Sequence, residues 1–206
     1  MSSGNRRVNH RTYTTKILII CAGETEVSYF NLLKKKFKNV DMKIIQSNLS
    51  DDEIVVNEAI NKKLTDNRYH EVWAVFDKDH SKGFNKVIKL AQENSVKCAY
   101  SNIAFEYWYY LHFCGDNKEM KYDEIKNELN KYLKFYYDKK CKTQERVFNN
   151  IEKHLLKAEE NAKRGHSKHK ATYGDDDPAS FCSCTTVYEL VKVLKKWNLC
   201  GVRIQS

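Results

Sequence analysis

Lys16-Ile-Leu-Ile-Ile-Cys-Ala22, closed by Gly23, is a short unbroken run rich in β-branched residues. Such a run predicts a strand buried on both faces, as in a parallel sheet covered by helices. Immediately after it, Thr25 is a candidate N-cap and Ser28-Tyr-Phe-Asn-Leu-Leu33 supplies the apolar face of a helix. Val40–Gln46 predicts a second strand, and Ser50-Asp-Asp-Glu53 has capping-box spacing that opens a helix to about Leu64. Glu71-Val-Trp-Ala-Val-Phe76 predicts a third strand, which ends abruptly in Asp77-Lys-Asp79. Phe84, Val87, Ile88 and Ala91 recur at helical spacing, Val96–Ser101 predicts a fourth strand, and a further helix begins near Ala104 and runs through Phe105–Phe113. Strands alternating with helices in this way predict an α/β fold, a Rossmann-like parallel sheet flanked by helices.

Beyond residue 115 the pattern becomes helical. Ile125, Leu129, Tyr132 and Tyr136 mark one apolar face, and Val147, Ile151, Leu155 and Ala158 another. These predict helices over Asp123–Tyr137 and Gln144–Arg164, with a loop over Gly165–Pro178 and a last helix over Thr185–Trp197. The expected organisation is a basic N-terminal arm (1–16), an α/β domain (17–115) and a helical C-terminal region (116–206).

With 206 residues, 41% of them hydrophobic and 31% charged, the chain can build a packed core and is not composed like a disordered protein. Its apolar runs fall far short of the ~18–20 residues of a membrane span. No charged-then-apolar leader opens the chain, so a cytoplasmic location is expected. Seven irregularly spaced cysteines read as reduced thiols. Cys182-Ser-Cys184 with His166 and His169 suggests zinc, but the gap is tighter than the usual two residues and a structural reading is preferred.

The 36 Lys+Arg against 27 Asp+Glu leave a net +9. Arg6, Arg7, Arg11 and Lys16 face no acid within the first 16 residues, and residues 121–170 hold 14 basic against 8 acidic side chains. A basic arm and a basic helical region therefore flank a nearly neutral centre, which fits polyanion binding.

Ligand sites in open parallel sheets form beyond the carboxyl ends of the strands. Three such ends carry acids here: Cys21-Ala-Gly-Glu-Thr-Glu26, Asp77-Lys-Asp79 and Ser101-Asn-Ile-Ala-Phe-Glu106. An Asp-x-Asp pair leaves a strand on one side of the pleat, and a hard cation relieves the repulsion between its carboxylates. Glu24 is either a helix-start acid favoured by the dipole or a further ligand. Lys78 and His80 flank the acids, where they face phosphate or solvent. Ser101 and Asn102 are expected to cap the helix carrying Glu106, and the aromatic run with His112 to be core.

Ile17–Phe30, Val72–His80 and Ser101–Phe113, in that order, resemble the RloB family, whose members carry a Toprim-type nuclease domain. The resemblance covers residues 6–115 well and the remainder loosely. It implies Mg²⁺ (or Mn²⁺) held by Asp77, Asp79 and Glu106, and metal-dependent cleavage of a phosphodiester. It implies a role in bacterial anti-phage defence and abortive infection beside an AAA-type ATPase partner, and a nucleic-acid substrate, tRNA ahead of DNA; a homodimer is a further expectation. The distribution of charge, for its part, points to nucleic-acid backbone contacts from Arg6, Arg7, Arg11, Lys139, Lys140, Lys142 and Arg146, with Lys78 and His80 beside the acids facing phosphate or solvent.

One position departs. Toprim domains have a catalytic Glu immediately before the first-loop Gly, where this chain has Ala22. The copy is therefore expected to be inactive or substrate-trapping, either a natural inactive relative or a protein with that Glu replaced; retention of Asp77, Asp79 and Glu106 favours replacement. The alternative function is a non-catalytic nucleic-acid-binding subunit of an ATPase-associated complex.

Overall fold

A computed structural model describes residues 15–78, 81, 83–115, 118–139 and 141–203, apart from the side chains of 141, 142 and 201–203. Five strands, β1 (Lys16–Cys21), β2 (Asp41–Gln46), β3 (Glu71–Asp77), β4 (Lys97–Asn102) and β5 (Cys184–Thr185), form one sheet in the order β2-β1-β3-β4-β5. The pairings among β1 to β4 are parallel, and β5 adds an antiparallel edge. Between the strands lie α1 (Glu24–Lys36), α2 (Asp52–Thr65) and α3 (Phe84–Glu93); after β4 come α4 (Glu106–Leu111), α5 (Tyr122–Leu133), α6 (Cys141–Ile151), α7 (Leu155–Tyr173) and, following β5, α8 (Val187–Arg203). This is an α/β, Rossmann-like fold with C-terminal helices.

The period-2 alternation of the strands divides the core in two. Ile17, Ile19, Cys21, Trp73 and Val75 face a cluster shared with α1 and the C-terminal helices. Leu18, Ile20, Ala22, Val72, Ala74 and Phe76 face Val55, Val56 and Ala59 of α2 and Phe84, Val87, Ile88 and Ala91 of α3. The first cluster runs from Ile17 to Leu194, so the C-terminal helices complete the core of the sheet.

Several boundaries differ from the sequence expectation. The cap of α2 is Asp51, whose carboxylate accepts from the backbone N–H of Glu53 and Ile54, one residue later than the expected Ser50. The segment from 165 to 173 is not loop but the end of α7, which carries its helical hydrogen bonds to the Gly174 N–H bonded to Lys170 O. The expected helix over 144–164 is interrupted by a 3₁₀ turn at Glu152–His154. α5 stops at Leu133, where Lys134 adopts φ 58°, so Tyr136 and Tyr137 leave the helix. Ser101 and Asn102 belong to β4 and do not cap α4: Ser101 Oγ lies 3.0 Å from Thr185 Oγ1 on β5, and Asn102 Nδ2 donates to Ala179 O.

Candidate metal centre at the sheet edge

The carboxyl ends of β1 and β3 are tied together. Cys21 pairs in register with Val75, and the Ala22 N–H donates to Val75 O at 2.9 Å. The Gly23 turn then delivers α1, whose buried residues Tyr29, Phe30 and Leu33 lie three, four and seven positions after Glu26. Those spacings put Glu26 on the same inward face, whereas Glu24, about 200° around the helix at 3.6 residues per turn, is exposed. Glu26 folds back close to this turn: a Cβ on Gly23 would lie 2.9 Å from Glu26 Oε2.

Asp77 ends β3 opposite Ser101 of β4. Its Oδ1 is buried without a hydrogen-bond partner, while the Phe105 backbone N–H donates to the carboxyl group. Glu106 follows at the start of α4, where all of Glu106–Leu111 is buried. A cage of edge-on aromatic contacts fixes this short helix: Tyr29 lies 5.5 Å from Phe105, 6.5 Å from Trp108 and 5.7 Å from Phe148, centroid to centroid. Such pairs contribute about 0.5–1.5 kcal/mol each beyond their burial.

Glu106 is anchored from the C-terminal region. The Tyr137 hydroxyl donates to Glu106 Oε1 at 2.8 Å and accepts from Gln144 Nε2 at 3.2 Å, while Gln144 Oε1 accepts from the Tyr109 hydroxyl at 2.9 Å. Lys139 Nζ stands 3.6 Å from the same Glu106 oxygen and 5.1 Å from the centre of the Tyr122 ring.

Two of the carboxylates are shifted by their surroundings. Burial, then repulsion from Glu106, raises the Glu26 carboxyl from 4.5 to about 7, with its own backbone N–H and Lys139 opposing. Burial, then Glu26 and Glu106, holds Asp77 well above the usual carboxylate range. The neighbouring Cys21 thiol is pushed up by burial and by Glu26. Acids that repel one another, one of them half-buried Asp77 with a buried, orphaned oxygen, are the donor chemistry that a hard divalent cation satisfies. Among the described residues alone, no group of three or more His, Cys, Asp or Glu side chains stands close enough together to hold a metal ion. Asp79 lies outside the described residues, as do Arg6, Arg7, Arg11, His80 and Lys140 and the side chain of Lys142.

Of the other candidates, Ala22 is 8% exposed, joined to β3 and part of the α2–α3 core cluster. Lys78 Nζ donates to Ala179 O at 2.5 Å, which ties it to the 3₁₀ turn Pro178–Ser180. Arg146 is exposed, its guanidinium 4.0 Å from the Phe135 ring. His112 is core: Nδ1 bonds Trp108 O at 2.8 Å, and burial lowers its pKa to about 3. His166 Nδ1 bonds the Tyr188 hydroxyl at 3.0 Å, and His169 stacks on Phe181 and hydrogen-bonds the Cys182 backbone; among the described residues they form no metal-holding group with Cys182 and Cys184.

Glu26, Tyr137, Gln144 and Tyr109 were not singled out as site residues from the sequence. For Glu26 a signal exists, an acid in phase with the apolar face of a helix; the other three come from loops and helices with no local mark of the site.

No curated protein and no solved structure matches the chain. A protein-family model, RloB, described as RloB-like protein, matches residues 17–194. That match takes in the sheet, all three acid-bearing strand ends and the helices that anchor Glu106, and the chain accordingly belongs to the RloB-like family.

Proposed function

We propose that this chain has the framework of a Toprim-type, Mg²⁺-dependent endonuclease acting in anti-phage defence, with RNA such as tRNA as its preferred substrate. The observation that carries the reading is that Glu26 and Glu106, both buried, and half-buried Asp77, whose Oδ1 is buried without a partner, lie near enough to repel one another at the carboxyl edge of a parallel sheet. Glu26, Asp77 and Glu106, together with Asp79, would hold the cation. When bound, Mg²⁺ supplies polarisation of a phosphate oxygen and stabilisation of the charge that develops during cleavage. Tyr137 fixes the direction of the Glu106 carboxylate, and Gly23 leaves the room in which Glu26 turns back over the strand end. Lys139 offsets the negative charge of Glu106 and would meet a phosphate.

Ala22 supports the second reading, a nucleic-acid-binding subunit for an AAA-type ATPase, because it supplies no base at the turn beside Asp77. The test is Ala22→Glu with Mg²⁺, assayed on RNA and DNA and by sequencing RNA from expressing cells. Cleavage abolished by Asp77→Asn supports the nuclease framework. A folded Ala22→Glu protein that cleaves nothing, yet binds nucleic acid as the parent does, supports the binding subunit.

A further inference from the structure

Two lysine–tyrosine pairs lead outward from Glu106. In the first, Lys139 Nζ lies 3.6 Å from Glu106 Oε1 and 5.1 Å from the Tyr122 ring centre. In the second, Lys126 Nζ lies 5.0 Å from the Tyr136 ring centre and donates to its hydroxyl at 3.1 Å. Tyr122 and Lys126 are four residues apart on α5, one turn along the same face, so the pairs are about 5–6 Å apart on that helix. Tyr136 and Lys139 come from the segment after α5, so each pair joins the helix to that segment and the two are interleaved.

Neighbouring tyrosines in that segment face opposite ways. Tyr137 is fully buried on Glu106, whereas Tyr136 is 69% exposed. The core does not use Tyr136, because α5 buries Ile125, Leu129 and Leu133 instead. A third cation lies over a ring where Arg146 of α6 covers Phe135 at 4.0 Å. Aromatic rings and cations thus alternate outward from Glu106.

We infer that this surface is a track for single-stranded nucleic acid, on which an unpaired base stacks against Tyr136 while Lys126, Lys139 and Arg146 hold the phosphates. The inference rests on the nuclease reading of the carboxylates, to which the track leads. An exposed ring can stack only with a base whose own face is free. In a duplex those faces are closed, and only its phosphates would engage the lysines.

Binding is measured by fluorescence anisotropy in EDTA, using the full chain with a labelled single strand of about 12 nucleotides and its duplex. The single strand is expected to bind more tightly. Tyr136→Ala should weaken it about tenfold, as loss of one stacked base does, leaving duplex binding unchanged. Tyr136→Phe should keep the preference, and Lys126→Gln should lower the salt slope for either ligand by about one. Equal affinity for the two ligands, or equal loss on Tyr136→Ala, would overturn the track. Cleavage by Ala22→Glu, assayed separately, distinguishes the two claims. Cleavage without a Tyr136-dependent preference sinks the track alone, and the preference without cleavage sinks the nuclease reading alone.

Discussion

The Tyr137 hydroxyl donates to Glu106 Oε1 at 2.8 Å, across 31 positions of sequence and with both groups buried. Because the same hydroxyl accepts from Gln144, replacing it removes two hydrogen bonds and leaves both partners short. Tyr137→Phe is expected to cost about 1–3 kcal/mol, the range for hydrogen bonds to a charged group and for an unsatisfied buried partner. Urea unfolding measures it, and a loss below about 0.5 kcal/mol, the lower end for an ordinary hydrogen bond, would mean that the relay does not hold Glu106.

The carboxylates also set a pH dependence. Glu26, raised from 4.5 to about 7, keeps its proton in the folded state over a window where the unfolded chain has lost it. Its contribution to stability therefore falls as pH rises from about 4.5 through about 7. Asp77 acts in the same direction, Lys139 offsets both, and the Cys21 thiol stays neutral throughout. His112 and His166, lowered to about 3 and about 4, work oppositely below 6.5, so the test is a difference. Unfolding of the parent and of Glu26→Gln from pH 5 to 8 should show the parent losing ground to the variant as pH rises. Parallel curves would contradict the burial and repulsion described here.

Gly23 permits the Glu26 carboxylate to fold back over the β1–α1 turn, and an added Cβ would lie 2.9 Å from Oε2. The obstructing atom ends a flexible side chain, and the Gly23 backbone, at φ −136°, suits any residue. Gly23→Ala should therefore unfold at nearly the parent temperature while the carboxylate swings aside. Divalent-cation affinity should fall about tenfold or more, as when ligand-orienting neighbours are removed. Unchanged affinity would mean that Glu26 takes no part.

The sheet was legible because β1, β3 and β4 are short apolar runs with polar ends, and Asp77 and Glu106 announced themselves by following two of them. β5 was not, since two residues carry no period and its pairing depends on chain folded back from 82 positions away. Glu26 was overlooked in favour of Glu24 because both are first-turn acids, and only the phase of Tyr29, Phe30 and Leu33 separates them. Tyr136 was expected on an inward helical face. The left-handed Lys134 ends α5 first and turns it outward. Glu106 was found, but not its anchor, because Tyr137 and Gln144 reach it through folds of the C-terminal region.

The central proposal is that Glu26, Asp77 and Glu106, with Asp79, receive a divalent cation. Calorimetric titration of Mn²⁺ or Mg²⁺ into the full chain at pH 8 tests it most directly, with Asp77→Asn and Glu26→Gln beside the parent. The account predicts saturable binding to the parent, weakened about tenfold or more by either substitution, with both variants still folded. Absence of saturable binding to the parent, or equal binding by all three proteins, would contradict it.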